Sequence, residues 1–99
     1  MDDIIVTMNE KQHRFETKIG EDFGYTEYRW YNGDIALMHT FVPEAGRGKG
    51  HSAALAKFAL EYAKEKKLNV LVYCPFVAKY IKLHPEYAFL VKEKSPGKP

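Results

Sequence analysis

Apolar and polar residues alternate along the first third of the chain, which is the pattern of strands with one buried face. The clearest case is the run from His13 to Ile19. Its residues divide into a largely apolar side and a charged side: Phe15, Thr17 and Ile19 against Arg14, Glu16 and Lys18. The pattern predicts three strands here, over residues 4–8, 13–19 and 25–31, with turns at 9–11 and 20–24.

Asn32-Gly33 is a strong two-residue hairpin signal, because both positions tolerate a positive φ. The next run, over residues 34–42, is mostly apolar on both faces, which predicts a central strand covered on both sides. Strict alternation divides it into two sets: Ile35, Leu37, His39 and Phe41 against Ala36, Met38, Thr40 and Val42. Pro43 cannot donate to a ladder and ends the strand.

Helical spacing follows over residues 51–67, with an apolar stripe at Leu55, Phe58, Ala59, Tyr62 and Ala63. A strand at 69–73, a helix at 75–83 that begins with proline, and a short strand at 87–91 complete the pattern. A strand, a helix and a strand in this order imply a parallel pair with a right-handed crossover. We therefore expect an α+β fold with a mixed sheet, in which an antiparallel meander precedes a βαβ unit.

The chain has 99 residues, of which 45% are hydrophobic and 14% aromatic, which predicts one globular domain over residues 1–99 with a frayed tail from residue 92. A net charge of +2 gives no case for nucleic acid or membrane partners. Cys74 is the only cysteine, which fits a reducing compartment, and no apolar run approaches the ~18 residues of a membrane span. We expect a cytoplasmic protein.

The segment 43–50 links the central strand to the helix and contains glycine at 46, 48 and 50. Glycines allow a backbone to approach a ligand closely, and the amides at a helix N-terminus attract phosphate. Arg47 and Lys49 add positive charge, and Ser52 offers a hydroxyl in the first helical turn. The alternative is a tight strand-to-helix turn without a ligand. The spacing matches neither a P-loop nor a dinucleotide fingerprint.

This loop resembles the acetyl-CoA loop of the GNAT superfamily of N-acetyltransferases, whose pattern is Gln/Arg-x-x-Gly-x-Gly/Ala at a strand-to-helix junction. Arg47 and Gly50 match the pattern, and Ser52 replaces the usual small residue. Three other runs resemble the short, single-domain subfamily: Arg14-Phe-Glu16, Tyr73-Cys-Pro-Phe-Val77 and His84-Pro-Glu-Tyr87. The resemblance covers nearly the whole chain.

The resemblance implies that two central strands splay apart and that acetyl-CoA enters the gap as a cosubstrate. It implies three groups of cofactor contacts: the backbone of Phe41 and Val42 with pantetheine, the amides of Arg47, Gly48, Lys49, Gly50 and His51 with the pyrophosphate, and Cys74 near the thiol end. It also implies an amine as the acceptor. The subfamily lacks the helical segment that larger members insert after the first strand, so we expect an open acceptor side that suits a protein or peptide amine.

Two residues are candidates for catalysis. Cys74 precedes a helix, whose N-terminus favours a thiolate, so it could act as a nucleophile or protonate the departing CoA; alternatively it is a buried small residue. His39 could accept a proton from the incoming amine, or it could be a hydrogen-bonded core histidine. Larger members usually place a tyrosine seven residues after the second splayed strand, where this chain has Ile81, with Tyr80 one position short.

The remaining candidates have simpler explanations. Glu44 could act as a base through water, but it more simply solvates the turn. His13, His51 and His84 share no metal-ligand spacing with carboxylates or the thiol, so no metal is expected. The aromatic residues between 25 and 31 are explained by core and hairpin packing. Two other functions stay open: an acyl-CoA-binding module with little or no transferase activity, and a purely structural domain.

Overall fold

The computed structural model of the chain describes residues 4–92 and contains one mixed sheet of five strands in sequential order. The strands are β1 (Thr7–Asn9), β2 (Arg14–Ile19), β3 (Asp22–Tyr31), β4 (Asp34–Phe41) and β5 (Val70–Val72). The α-helices are α1 (His51–Lys66) and α2 (Pro75–Leu83), and the 3₁₀ helices are Glu44–Gly46 and Pro85–Leu90. β1 to β4 pair antiparallel, and β4 pairs parallel with β5. This arrangement confirms the predicted meander and βαβ unit.

The β3–β4 hairpin turns at the predicted dipeptide. Asn32 has a φ of 50° and Gly33 a φ of 84°, so both occupy the left-handed region that a two-residue turn needs. The turn is followed by the register Tyr31 opposite Asp34 and Trp30 opposite Ile35. The local sequence therefore set both the position and the conformation of this turn.

Some strand boundaries differ from the prediction. β1 begins at Thr7, and residues 4–6 are not in a strand. Residues 22–24, predicted as part of a turn, belong to β3, because Gly20 at φ 62° already reverses the chain and Ile19 then pairs with Asp22. The turn is therefore shorter than the glycine and acidic residues suggested. At the C-terminal end of α1, Lys67 takes the left-handed conformation and caps the helix.

The largest departure from the sequence pattern is a β-bulge in β4. The pairing passes from Tyr28 opposite Leu37 to Glu27 opposite His39, so Met38 has no opposite partner. The bulge reverses the alternation, and Thr40 now shares the face of Leu37. The prediction that His39 and Phe41 share a face with Leu37 is therefore wrong, as is the prediction that the whole strand is covered on both sides.

The core lies between one face of the sheet and the helices. Leu55, Ala59 and Ala63 of α1 are fully buried. The ring centroids of Phe58 and Tyr62 lie 5.7 and 5.6 Å from the ring centroid of Phe15. This confirms the predicted stripe on α1. Buried residues of α2 and of the 3₁₀ helix Pro85–Leu90 belong to the same cluster: Val77, Tyr80, Ile81, Tyr87 and Leu90.

The short last strand predicted over 87–91 is wrong. Residues 85–90 form a 3₁₀ helix, because Pro85 suits a helical start and Tyr87 and Leu90, three positions apart, are both buried. The Tyr87 hydroxyl donates to Glu61 at 2.6 Å. Only Val91 forms a bridge, to Val70. Lys92, predicted as the start of a frayed tail, donates its amide to Val70 O at 2.9 Å, and the rest of that tail lies outside the described residues.

Candidate functional site

β4 and β5 separate where their ladder ends. The last pair is Leu37 opposite Val72, and the Leu37 carbonyl accepts hydrogen bonds from the amides of both Tyr73 and Cys74, each at 3.0 Å. The chain then enters α2 at Pro75. β4 continues to Phe41 and pairs only with β3 over residues 39–41, so no strand within residues 4–92 covers its other edge there. This is the splayed geometry expected from the sequence.

The loop after β4 is organised by its own backbone. In the 3₁₀ helix Glu44–Gly46, the Gly46 amide donates to Pro43 O at 2.8 Å and the Arg47 amide donates to Glu44 O at 3.1 Å. Gly48 and Gly50 follow with φ angles of 78° and 92°, a conformation that L side chains rarely adopt. These two glycines turn the chain into α1.

The amides that follow this turn open α1. Gly50 caps α1 without a side-chain hydrogen bond, and no side-chain acceptor is recorded for these amides among residues 4–92. The first amides of a helix have no intrahelical acceptor, and the helix dipole adds partial positive charge at the same place. Exposed Lys49 adds a full charge. The arrangement suits an anion such as a diphosphate.

Several predicted contact groups already have partners inside the loop. The Arg47 Nε donates to Val42 O at 3.1 Å, and His51 Nδ1 lies 3.1 Å from Gly46 O. The Arg47 amide is bonded to Glu44 O, so it is not available to a ligand. Gly46 has a packing role, because a Cβ atom there would lie 2.7 Å from Ile19 Cδ1. Ser52 is half-buried in the first turn of α1.

Cys74 lies at the end of the splayed region and caps α2. Its side chain is buried, and Sγ lies 3.3 Å from Thr40 Oγ1. Thr40 Oγ1 in turn lies 2.7 Å from Oγ1 of Thr26, which is fully buried. The three side chains form a hydrogen-bonded chain on the helix-covered face. The two threonines were not identified from the sequence, because only the bulge turns Thr40 toward Cys74.

His39 lies on the opposite face of the sheet from Cys74, so the structure does not bring these two predicted residues together. Its side chain is 54% exposed, and Nδ1 lies 3.2 Å from Glu27 Oε1. The His39 ring also meets the Tyr25 ring edge-on, with centroids 5.9 Å apart. Sequence reasoning missed Glu27, since a hairpin register without the bulge would place Thr26 opposite His39.

The other candidates lie away from the splayed edge or stay without a defined role. Ile81, at the position of the family tyrosine, is buried in the core. Tyr80 stacks on His84 with centroids 4.1 Å apart, and burial, with lesser effects from Glu86 and Glu61, raises the pKa of Tyr80. Glu44 is exposed.

Across residues 4–92, no cluster of three or more His, Cys, Asp or Glu side chains is arranged to hold a metal ion. Over the same residues, no helix combines the length and the apolar character needed to cross a bilayer.

Comparison with known proteins places this geometry in a family. Residues 14–90 match the family model described as GCN5-related N-acetyl-transferase. Protein NATD1 from Gallus gallus and from Mus musculus is 41% identical to the chain over 51 residues, which is 52% of this chain and 46% of each relative. The chain thus spans about half the length of the curated relatives it matches.

A solved structure shows the same fold over almost the whole chain. The solution structure of a GCN5-like protein from Staphylococcus aureus superposes with a TM-score of 0.66, covering 96% of this chain and 94% of that one at 21% sequence identity. At this identity the likeness concerns the fold, and the family model supplies the assignment. The chain belongs to the GCN5-related N-acetyl-transferase family.

Proposed function

We propose that this chain is an acetyl-CoA-dependent N-acetyltransferase that transfers an acetyl group to an amine. The observation that carries the proposal is the placement of two features along β4. Among residues 4–92, no strand covers the edge of β4 where β5 leaves it, and the glycine-rich turn into the N-terminus of α1 begins just beyond the end of β4. Together they offer a slot for an extended chain that ends in a diphosphate.

The amides at the start of α1 and exposed Lys49 would hold the pyrophosphate, with Ser52 contributing its hydroxyl. The guanidinium of Arg47 would add charge while its Nε keeps the loop tied to Val42. The main chain of Phe41 and Val42 would contact the pantetheine amides along the edge of β4. The thiol end would then point toward Cys74, where β4 and β5 part.

When bound, acetyl-CoA supplies an activated thioester. This chain's residues would position it and handle protons. His39, on the open face, would accept the proton that the amine loses as its nitrogen bonds to the acetyl carbon. Cys74, on the covered face, would supply a proton to the sulfur as its bond to the acetyl carbon breaks. Once the product leaves the slot, His39 would release its proton to solvent and Cys74 would regain one from solvent.

The acceptor proposed here is a protein or peptide amine. β1 connects to β2 through a turn at residues 10–13, without the helical segment that larger members insert. The outer face of β2, β3 and β4 carries exposed or half-buried side chains around His39. An open face of this kind admits a large acceptor more readily than an enclosed pocket would.

A pair of glycine variants tests cofactor binding. Gly48→Ala and Gly33→Ala each place a methyl group at a positive φ, 78° and 84°, with no atom within 4 Å. The backbone strain is therefore matched, at about 1–2 kcal/mol. We expect calorimetric titration with coenzyme A to show at least about tenfold weaker binding for Gly48→Ala, equivalent to about 1.4 kcal/mol, and no change for Gly33→Ala. No saturable binding by the folded wild type would refute the proposal.

An acyl-CoA-binding module is the second candidate, and it is favoured by the burial of Cys74, which is only 1% exposed, and by the apolar core residue at Ile81. Both functions predict coenzyme A binding. They differ in turnover, so the discriminating measurement follows acetyl transfer to lysine-containing peptides and free CoA release by mass spectrometry. Tight binding with CoA release no faster than in buffer, and no acetylated peptide, would favour the binding module.

A further inference from the structure

Glu27 and His39 face each other on the open side of the sheet. They are directly opposite in the β3–β4 ladder, and Glu27 Oε1 lies 3.2 Å from His39 Nδ1. The Tyr25 ring flanks the imidazole from the same strand as Glu27. The ring of His39 is therefore held on two sides while more than half of its side chain stays exposed to solvent.

We propose that Glu27 is the positioning residue of the proposed transferase, and this inference rests on the proposed function. The carboxylate draws the imidazole proton to Nδ1, so that Nε2 presents its lone pair to the acceptor amine. A neutral imidazole carries one proton, and the partner of one nitrogen decides which nitrogen holds it. Glu27 thus sets the tautomer in which His39 can accept a proton.

The carboxylate is itself anchored. Its second oxygen, Oε2, lies 3.3 Å from Arg29 Nη2 on the same strand, and its side chain is 28% exposed. The neighbouring charges are engaged elsewhere, since the Arg14 guanidinium lies 4.6 Å over the Tyr25 ring and pairs with Glu16 at 2.8 Å. Among residues 4–92, the structure records a contact between His39 and one acidic side chain, that of Glu27.

The bulge at Met38 makes this contact. A hairpin without it would place Thr26 opposite His39 and would turn the imidazole toward the helix-covered face. With the bulge, His39 reaches the open face beside the uncovered edge of β4, where an acceptor from solvent can approach. The extra residue in the strand, Met38, therefore places His39 opposite Glu27 and also on the open face, where it is exposed to solvent.

The test is nitrogen-edited NMR of the histidine rings, with Glu27→Ala and Glu27→Gln as variants and Glu16→Gln as the matched control. Glu16 lies on the same face and contacts Arg14 and Asn9, and no contact with His39 is recorded for it. We expect the wild type and Glu16→Gln to show His39 protonated at Nδ1. We expect Glu27→Ala to shift the proton to Nε2, the position usual for an unpartnered imidazole. An unchanged tautomer in Glu27→Ala overturns the proposal, whatever the turnover.

The kinetic arm uses the same variants with acetyl-CoA and a lysine-containing peptide. We expect Glu27→Gln to lower kcat roughly tenfold with little change in the KM for acetyl-CoA, and Glu16→Gln to leave both unchanged. In a His39→Ala background the Glu27→Gln effect should vanish. An equal loss in that background overturns the positioning role. A tautomer shift with no turnover in the wild type instead overturns the proposed function and, with it, the positioning role of Glu27 in that function.

Discussion

The two halves of β4 differ in almost every physical respect, although they belong to one strand of eight residues. The first half, residues 34–37, is buried and pairs on both edges, with β3 and β5. The second half pairs with β3 alone, and Phe41 at its end is 44% exposed. The first half carries the fold, and the second half leaves an edge free for a ligand.

Two local events separate these halves, and they occur at the same place. β5 stops pairing after Leu37, and the bulge at Met38 reverses the side-chain alternation. A strand that pairs on both edges along its whole length has no free backbone groups for a ligand. A strand that is exposed along its whole length has no packing to hold it in place. The open half of β4 is therefore held in place by the buried half of the same strand.

The largest expected difference is in the free energy of unfolding, when one apolar side chain in each half of β4 is truncated to alanine. Leu37→Ala removes a fully buried side chain and should lower the free energy of unfolding by about 2–5 kcal/mol. Phe41→Ala removes an exposed ring whose contact is the Tyr25 ring, 5.8 Å away, and should cost at most about 1.5 kcal/mol. Urea denaturation followed by circular dichroism measures both. Equal losses would contradict the division of β4 into a buried and an open half.

A smaller effect is expected in the second half of β4, at the side chain of Thr40 on the helix-covered face. Thr40→Val removes the hydroxyl between Thr26 and Cys74 and leaves the buried Thr26 hydroxyl without its partner, at a cost of about 1–3 kcal/mol. Thr40→Ser keeps the hydroxyl and should retain most of the stability.

Labelling of Cys74 with a thiol reagent gives a second measurement on the same pair. The thiol is buried, so labelling depends on opening of the structure. Thr40→Val should therefore react faster than Thr40→Ser at equal temperature. If the two variants are equally stable and label at equal rates, the hydrogen-bonded chain is not a stabilising feature of the covered face.

The smallest effect should appear at the start of β4 and depend on pH. The hydrogen bond from Lys92 Nζ at 2.9 Å, together with the Asn69 amide, lowers the pKa of Asp34 against an opposing effect of desolvation. A carboxyl whose folded pKa is lowered stabilises the fold above its unfolded pKa, about 3.9, and loses that contribution as the pH falls through the folded pKa. Asp34→Asn should therefore be less stable than the wild type at neutral pH.

The difference between wild type and Asp34→Asn should narrow as the pH falls below about 4. Urea denaturation at neutral pH and at about pH 3 measures it. Lys92→Gln removes the main cause of the lowered pKa and should reproduce part of the effect. A difference that stays constant across this pH range would show that the carboxylate charge of Asp34 does not stabilise the contact between β4 and Lys92.

Much of the fold could be predicted from local sequence. Asn32-Gly33 fixed the hairpin, because few dipeptides adopt two positive φ angles in succession. The stripe on α1 and the alternation in β2 followed from the periods of helix and strand. The C-terminal 3₁₀ helix was missed, because the burial of Tyr87 and Leu90 against α1 outweighs the strand preference of a short aromatic and apolar run.

The candidate site was predictable only in part. The glycine-rich loop can be recognised in the sequence because its residues are consecutive, and Cys74 can be recognised because it is the single cysteine. Glu27 and Thr26 cannot, because they reach the site through cross-strand register. That register changed by one residue at Met38, where neither glycine nor proline marks a bulge.

Short-range preferences and spacing along the chain fix the order of the elements, the hairpin turn, the glycine-rich loop and the family resemblance. Which side chains share a face beyond Leu37 depends on the tertiary structure. It turned Thr40 toward Cys74 and His39 toward Glu27. The physical reason is that a bulge is a property of two paired strands and of the packing above and below them, and neither strand encodes it alone.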